Sequence, residues 1–210
     1  MNNDPDIRVP DEQSAKNAGA FNFFAGLIDY FEIIAVAFLA ALLVFSFCVR
    51  TCRVDGRSMN NTLFNKELLV TCNLFYEPEA GDIVVFHLSN DFYSEPLVKR
   101  VIATEGQKVV IDLTEKKVYV DGILLEEDYA FLEGDRYNPS YFDLNRLEKD
   151  SDGHTVFSDT VPEGMLFVMG DNRNHSTDSR SKQVGIIDER CILGKAILRI
   201  SPFTVFKNKK

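Results

Sequence analysis

The chain of 210 residues carries 32 acidic against 23 basic side chains, a formal net charge of −9. This length allows one sizeable domain, or one domain with a smaller insert, and either would bury a core. The acidic balance repels phosphate backbones and argues against a nucleic-acid partner. Four scattered cysteines form no disulfide framework or CxxC pattern and predict free thiols: Cys48, Cys52, Cys72 and Cys191.

The first predicted element is a membrane-spanning helix over residues 29–50. Residues 1–28 are polar and net acidic and predict a tail, disordered over its first 20 residues. Residues 33–49, IIAVAFLAALLVFSFCV, then carry no charge, and Tyr30 and Phe31 extend this apolar run. A buried core helix would keep a polar stripe, and a cleaved signal peptide would need a basic start, so we expect a retained span.

The charges beside this helix favour one orientation. Arg50, Arg53 and Arg57 follow it, whereas only Arg8 and Lys16 precede it. Because cytoplasmic flanks are enriched in Lys and Arg, this count alone would place the C-terminal part in the cytoplasm.

Beyond the helix the sequence predicts a mainly β domain. Runs rich in Val, Ile, Phe and Tyr alternate with Gly, Asp and Asn, and no fixed-period repeat indicates a propeller or solenoid. Residues 126–159 are denser in charged and aromatic side chains and predict an inserted subdomain with its own small core. The β domain would comprise residues 51–125 and 160–205, before a C-terminal tail at 206–210. Strands are expected at 67–75, 82–88, 96–104, 108–113, 117–122, 164–170 and 194–200.

Two side chains are candidates for nucleophilic chemistry. Ser58 lies in VDGRSMNNTL, just beyond the apolar run, and a serine nucleophile needs a base. The local context of the three histidines, His87, His154 and His175, favours none of them. In EPLVKRVIA, the period of two places Lys99 between apolar neighbours on one strand face, so burial would lower its pKa from about 10.4 toward about 7–8. A neutral lysine could take a proton from a serine. An exposed edge-strand lysine is the alternative.

The stretch MGDNRNHSTDSR, residues 169–180, is dense in short hydrogen-bonding side chains directly after an apolar strand. Asp178 and Arg180 can form an ion pair, and Ser176 could hydrogen-bond a neighbouring amine. The alternative is a polar surface loop.

Two glycosylation sequons, at Asn60 and Asn174, lie inside this candidate site. A glycan would obstruct the site there, so we interpret both sequons as coincidental. No HExxH, Walker or GxGxxG pattern occurs, so no metal, nucleotide or other cofactor is predicted.

Taken together, the Ser58 segment, GDIVVF, KRVIATEG and GDNRNHSTDSR resemble the ordered boxes of bacterial type I signal peptidases, over residues 50–201. The resemblance implies a signal-peptidase-like fold of antiparallel sheets, with a smaller inserted subdomain and one preceding transmembrane helix. It implies a membrane-bound serine endopeptidase that removes signal peptides from exported preproteins. The catalytic domain would lie outside the cytoplasm, against the charge count, with the three arginines anchoring at lipid headgroups.

The same resemblance implies roles for individual residues. Ser58 would be the nucleophile and Lys99 the general base, with Ser176 orienting the lysine amine and Asp178 with Arg180 supporting it. The oxyanion donors would be the backbone N–H of Ser58 and an amide near Gly56. The substrate would pair its backbone in extended form with a set of residues on both sides of the dyad: Val54, Asp55, Pro96, Leu97 and Val98.

The sequence departs from the family pattern at a few positions. Asn61 stands where proline is usual, and Ala103 and Gln107 replace a glycine and an aspartate. These changes concern loop geometry and remove no catalytic group. Lysine at position 99, where eukaryotic and archaeal relatives carry histidine, is typical of bacterial enzymes.

The expected partners are preprotein signal peptides, membrane lipid and, by proximity, the Sec translocon. Two other functions fit parts of the pattern. A self-cleaving Ser/Lys repressor-type protease would need a DNA-binding domain and a soluble chain, which the acidic tail and apolar helix do not offer. A non-catalytic, membrane-anchored β domain acting as a translocon scaffold would not need Ser58 and Lys99, and both are present.

Overall fold

The computed structural model describes residues 12–88, 92–132, 134–200 and 203–206. The chain divides into two compact units, Met1–Phe47 and Cys48–Lys210. The outer parts of both predicted tails, residues 1–11 and 207–210, lie outside the described residues.

The first unit contains the helix α1, Glu12–Cys48. Its segment Ile28–Ser46 has 19 residues with a mean hydropathy of 2.3, and none of them is buried within the protein. At about 1.5 Å per residue, such a helix spans roughly 28 Å, enough for a bilayer core. The helix differs from the prediction at both ends. It begins within the expected tail, where four alanines between positions 15 and 25 favour helix, and it ends at Cys48 because the first strand starts at Val49.

The second unit is built from antiparallel strands, as predicted. In the part of the chain that the structure describes, the strands are β1 (Val49–Arg53), β2 (Leu68–Cys72), β3 (Ile83–Phe86), β4 (Leu97–Ala103), β5 (Lys108–Asp112), β6 (Lys117–Val120), β7 (Ile123–Leu124), β8 (Leu147–Lys149), β9 (Thr155–Thr160), β10 (Met165–Met169), β11 (Ile187–Asp188), β12 (Ile192–Arg199) and β13 (Thr204–Val205). Each strand that the sequence predicted is confirmed. The mainly β fold class is confirmed as well.

The larger sheet has the strand order β1-β2-β12-β3-β4-β10-β11, and β13 pairs with β12. Strand β4 lies near its centre, where β3 pairs with it from Leu97 to Arg100 and β10 pairs with it from Arg100 to Ala103. Every residue of β4 after Leu97 is buried. A lysine on this strand is therefore held inside the sheet, in contrast to an edge-strand lysine.

The smaller sheet has the order β7-β6-β5-β9-β8 and corrects the predicted boundary of the insert. It begins at Lys108 rather than at residue 126, because β5 pairs with both β6 and β9. Among the residues that the structure describes, the insert has no separate core. Phe142 and Phe157 pack edge to face, and Phe157 contacts Phe167 of β10 in the larger sheet. The two sheets thus share one apolar cluster, which fixes the insert against the strand that precedes the GDNRNHSTDSR stretch.

Candidate active site

Ser58 lies in a loop that the backbone closes between β1 and β2. The N–H of Val54 donates to the carbonyl of Glu67 at 2.9 Å, and the N–H of Lys66 donates to the carbonyl of Val54 at 2.8 Å. Gly56 has φ of +87°, a left-handed conformation that favours glycine two residues before the serine. Met59 is buried and anchors the loop in the apolar core on the other side of Ser58.

Lys99 reaches this loop from the centre of the sheet. Its Nζ lies 2.8 Å from Ser58 Oγ and donates to the carbonyl of Val98 at 3.1 Å. The residue is only 3% exposed and lies opposite Val84 of β3. Burial therefore lowers the pKa of Lys99 from 10.5 to about 8, the upper end of the range expected from the strand pattern. Nearby charges act on the same pKa: Asp178 and Asp171 raise it, and Arg180 lowers it.

Asp178 and Arg180 form the ion pair that the sequence predicted, and both side chains are fully buried. Arg180 Nε donates to Asp178 Oδ1 at 2.7 Å and Nη2 donates to Oδ2 at 2.8 Å. Burial alone would raise the pKa of the Asp178 carboxyl, but the Arg180 charge and these hydrogen bonds hold that pKa below its ordinary value. Asp178 also accepts the N–H of Gly170 at 2.9 Å, which ties the pair to the end of β10.

Ser176 is completely buried in the same loop, but its contacts differ from those expected. Its Oγ makes no hydrogen bond of regular geometry within the described ranges, although it lies near enough to the Asp178 carboxylate to help lower that pKa. Lys99 bonds to Ser58 and Val98 instead.

Gly170 explains how Ser176 is held against the serine loop. A Cβ added at Gly170 would lie 2.2 Å from Ser176 Oγ and 2.5 Å from the carbonyl oxygen of Ser58. The missing side chain at position 170 thus lets the two serine segments approach each other.

Asn172 joins the two loops and was not singled out by the sequence analysis. Its N–H donates to the carbonyl of Ser58 at 3.0 Å, and its Nδ2 donates to the carbonyl of Arg57 at 3.3 Å. These bonds fix the backbone of the serine loop relative to the loop after β10. The only sequence signal for this role is the place of Asn172 inside the GDNRNHSTDSR stretch.

A second buried ion pair supports the same loops and was also missed. Arg100 Nε donates to Asp171 Oδ1 at 2.9 Å and Nη2 donates to Oδ2 at 2.7 Å, while Nη1 donates to the carbonyl of Gly81 at 2.8 Å. Thr62 Oγ1 donates to Asp171 Oδ2 at 2.5 Å. The guanidinium stacks 3.9 Å from the ring centroid of Tyr129. Because Arg100 follows Lys99 and Asp171 follows Gly170, this pair fixes both sides of the site.

The residues expected to bind an oxyanion differ in their contacts. The N–H of Gly56 already donates to Asn65 Oδ1 at 3.1 Å. The N–H of Ser58, in contrast, has no acceptor among the residues that the structure describes. Ser58 is thus the better placed of the two amides to receive a new oxygen atom.

The residues expected to bind substrate fall into two groups. The N–H and carbonyl of Val54 are both used inside the protein, so its backbone is not open to a substrate, whereas Asp55 is exposed. On the other side, Leu97 and Val98 pair only with β3 among the described strands, because β10 joins β4 from Arg100 onward. That half of β4 has one unpaired edge, and the exposed Pro96 begins it.

Comparisons with known proteins agree on one family. The sequence profile described as "Signal peptidase, peptidase S26" matches residues 27–201. Signal peptidase IB of Staphylococcus aureus is 35% identical over 186 residues, which cover 87% of this chain and 93% of that protein. Signal peptidase I of Bacillus amyloliquefaciens is 28% identical over 193 residues, covering 89% and 94%. A crystal structure of a signal peptidase I from Enterococcus faecalis is 29% identical, covers 57% of this chain and 97% of that chain, and has a TM-score of 0.40.

Proposed function

The chain belongs to the signal peptidase family, peptidase S26, and we propose that it is a membrane-anchored serine endopeptidase that cleaves signal peptides from exported preproteins. The observation that carries this proposal is the 2.8 Å contact between Lys99 Nζ and Ser58 Oγ, with the lysine buried. A nucleophile and a base within hydrogen-bonding distance are the minimum for acyl transfer by a serine.

The reaction begins with proton transfer. Neutral Lys99 takes the proton of Ser58 Oγ, and the oxygen attacks the scissile carbonyl of the substrate. The negative charge that develops on that carbonyl oxygen is stabilised by the N–H of Ser58. The ammonium of Lys99 then returns its proton to the leaving amine. In the second half of the reaction, Lys99 activates a water molecule that hydrolyses the acyl-enzyme.

The surrounding charges keep the amine ready for this role. Asp178 alone would favour the ammonium, but Arg180 compensates its charge at short range. Burial then dominates, and an amine with a pKa of about 8 is partly neutral near neutral pH. The carbonyl of Val98 accepts a second hydrogen bond from the amine and helps to orient it.

The open edge of β4 supports extended binding of the substrate. A peptide strand can add its backbone to Leu97 and Val98 on one side and to the exposed segment at Asp55 on the other. Buried apolar side chains next to Ser58 would form the floor of this groove, among them Met59, Leu63, Val54 and Val98. Such a floor suits the small side chains that precede the cleaved bond in the substrates of this family.

The apolar helix provides a membrane anchor that is continuous in sequence with the catalytic unit. The strand that leads to Ser58 starts at Val49, directly after α1 ends at Cys48. A signal peptide keeps its own apolar segment in the bilayer, so anchoring the enzyme in the same membrane raises the local concentration of enzyme and substrate. We place the catalytic unit on the outer side of the cytoplasmic membrane, close to the Sec translocon.

The test is cleavage of a preprotein in nonionic detergent. We expect the wild type to release the signal peptide, and Ser58→Ala and Lys99→Ala to be inactive. Ser158→Ala, at a half-buried strand position, and Lys182→Ala, at an exposed position, are matched controls that should retain activity. Activity in either dyad variant would reject the proposed chemistry, and an inactive wild type would favour the scaffold function.

A protease-accessibility experiment tests the side of the membrane on which the catalytic unit lies. External protease added to intact spheroplasts should digest the catalytic unit, and digestion only after lysis would overturn the placement.

A further inference from the structure

A contact between Arg57 and His175 lies directly beside the candidate dyad. Arg57 precedes Ser58, and His175 precedes Ser176. Arg57 Nη2 lies 3.2 Å from His175 Nδ1. Because a guanidinium has N–H donors and no acceptor, it is the donor in this contact, and His175 accepts at Nδ1. The pair therefore contributes at least one full positive charge next to the nucleophile.

The backbone holds this pair in place. Asn172 donates from Nδ2 to the carbonyl of Arg57, and the carbonyl of Asn172 accepts the N–H of His175 at 3.1 Å. Both residues are thus tied to the asparagine that also bonds the carbonyl of Ser58. These hydrogen bonds fix the backbone of Arg57 and His175 relative to Ser58.

Arg57 differs from the other arginines at the site in its exposure and in its charged partners. Arg57 is exposed, whereas Arg100, Arg173 and Arg180 are buried and each pairs with a carboxylate. Within the described parts of the chain, Arg57 forms no ion pair with a carboxylate of the protein. An exposed guanidinium retains N–H donors, and a carboxylate matches them in geometry and charge.

We propose that Arg57 and His175 form a subsite for an acidic side chain in the first two residues after the cleaved bond. This inference rests on the proposed function, because that function sets the direction of the substrate. Residues before the cut would lie along Asp55 and the Leu97–Val98 edge, so the chain continues beyond Ser58 in the opposite direction. There it meets the loop after β10, and His175 is the half-buried side chain of that loop next to Arg57.

The experiment compares matched peptide substrates that differ only in the first or second residue after the cut. Cleavage of Glu, Gln and Lys versions is measured in nonionic detergent, which contains no lipid headgroups. We expect kcat/KM for the Glu peptide to exceed that for Gln by about threefold to fivefold at low salt, as for an exposed ion pair, with Lys the poorest. The preference should decrease as added salt screens the charges.

Two variants assign the preference to Arg57. Arg57→Gln should cleave the Glu and Gln peptides equally, and Arg57→Glu should favour the Lys peptide. Lys182→Gln removes the same charge from an exposed position outside the site and should keep the wild-type ratio. Cleavage of all wild-type peptides at equal rates would overturn the subsite and leave the proposed function standing, whereas cleavage of none would reject the proposed function. A Glu preference that persists in both variants at position 57 would overturn the assignment. Stimulation by anionic vesicles that depends on Arg57, without a Glu preference, would overturn it in favour of a lipid contact.

Discussion

Lys99 Nζ lies 2.8 Å from Ser58 Oγ, although 41 positions separate the two residues in the chain. The lysine is presented by a central strand and the serine by a loop between two other strands of the same sheet. Because neither side chain reaches the other through local structure, the contact depends on the whole larger sheet. The chemistry proposed for this pair leads to predictions about rate, stability and pH.

The rate of cleavage should follow the protonation of Lys99. Since the neutral amine is the base, kcat/KM should rise with pH and level off above an apparent pKa of about 8, the value to which burial lowers this group. The measurement is a pH–rate profile with a fluorogenic signal-sequence peptide. An acid limb near about 6.5, the ordinary histidine value, would indicate a histidine base instead.

Replacement of the lysine by a residue of similar shape should stabilise the protein. The pKa of Lys99 is lower in the folded state, so the unfolded chain binds more protons between about pH 8 and 10.5, and stability rises with pH in that window. Below it, the buried ammonium costs roughly 3 kcal/mol, and its hydrogen bonds return about 1 kcal/mol. We expect Lys99→Met to raise the free energy of unfolding by about 2 kcal/mol at pH 7.

Denaturant unfolding of the detergent-solubilised protein would measure this difference. The gain should shrink as the pH rises above about 8 and be lost only above 10.5, once the amine is neutral in the unfolded chain as well. Lys182→Met, at an exposed position, is the control and should show no such trend. An equal or lower stability of Lys99→Met at pH 7 would contradict the view that burial lowers the lysine pKa.

Gly170→Ala should impair both folding and activity. The added Cβ would lie 2.5 Å from the Ser58 carbonyl oxygen and from Ser176 Cβ, closer than atoms of this kind approach. Overpacking of this type costs about 1–3 kcal/mol, and here it would push the serine loop away from Lys99. We expect a lower unfolding midpoint and a loss of kcat greater than any change in KM. The double variant Gly170→Ala, Ser176→Gly should recover part of the stability, and no recovery would place the clash at Ser58 alone.

The sequence predicted the elements better than it predicted their contacts. Alternation along residues 96–104 indicated a buried Lys99, and the uncharged run at 33–49 indicated the helix. The partners of Arg100 could not be predicted in the same way. Asp171 and Thr62 lie 71 and 38 positions away, and their meeting depends on how loops pack rather than on a periodic pattern.

The predicted boundary of the insert was wrong for a related reason. Charge and aromatic density marked residues from 126 onward, but sheet membership is decided by pairing, and β5 pairs with strands on both sides of it. The aromatic residues taken as a separate core contact Phe167 instead. Strand β1 was missed because Val49 belongs to the apolar run and Arg50 and Arg53 interrupt any further run of apolar residues. Only the pairing of Val49–Arg53 with β2 defines the strand.

Arg100→Lys should be strongly destabilising although it keeps the charge. Arg100 bonds both oxygens of the buried Asp171 and the carbonyl of Gly81, and a lysine ammonium cannot reproduce this planar fork. Breaking a buried pair typically costs about 3–5 kcal/mol, of which a lysine should recover part, so we expect a loss of about 2 kcal/mol. Arg190→Lys is the control, because its side chain is 89% exposed and pairs with Asp188 at the surface. Equal effects of the two changes in denaturant unfolding would contradict this role for Arg100.

His154 should make the stability of the smaller sheet depend on pH. His154 directly precedes β9, and its Nδ1 lies 2.8 Å from Oδ2 of Asp112, the last residue of the neighbouring strand β5. The hydrogen bond to Asp112 raises the pKa of His154 above 6.5. At Asp112, burial opposes the change, but backbone N–H groups and His154 lower the carboxyl pKa below 3.8. Because the histidine pKa is raised, its contribution is complete below its unfolded pKa and is lost as pH rises through the folded one.

The contribution of Asp112 has the opposite sign, since it is lost only as pH falls through its lowered pKa, so the pair stabilises most at mildly acidic pH. We expect the unfolding midpoint of His154→Gln to lie furthest below that of the wild type near about pH 5. The two midpoints should approach each other above about pH 8, because a histidine pKa raised from its ordinary value of about 6.5 has then been passed. His87→Gln is the matched substitution in the larger sheet, where His87 follows β3. A constant gap between wild type and His154→Gln from pH 5 to about pH 9 would show that the contact acts through packing rather than through charge.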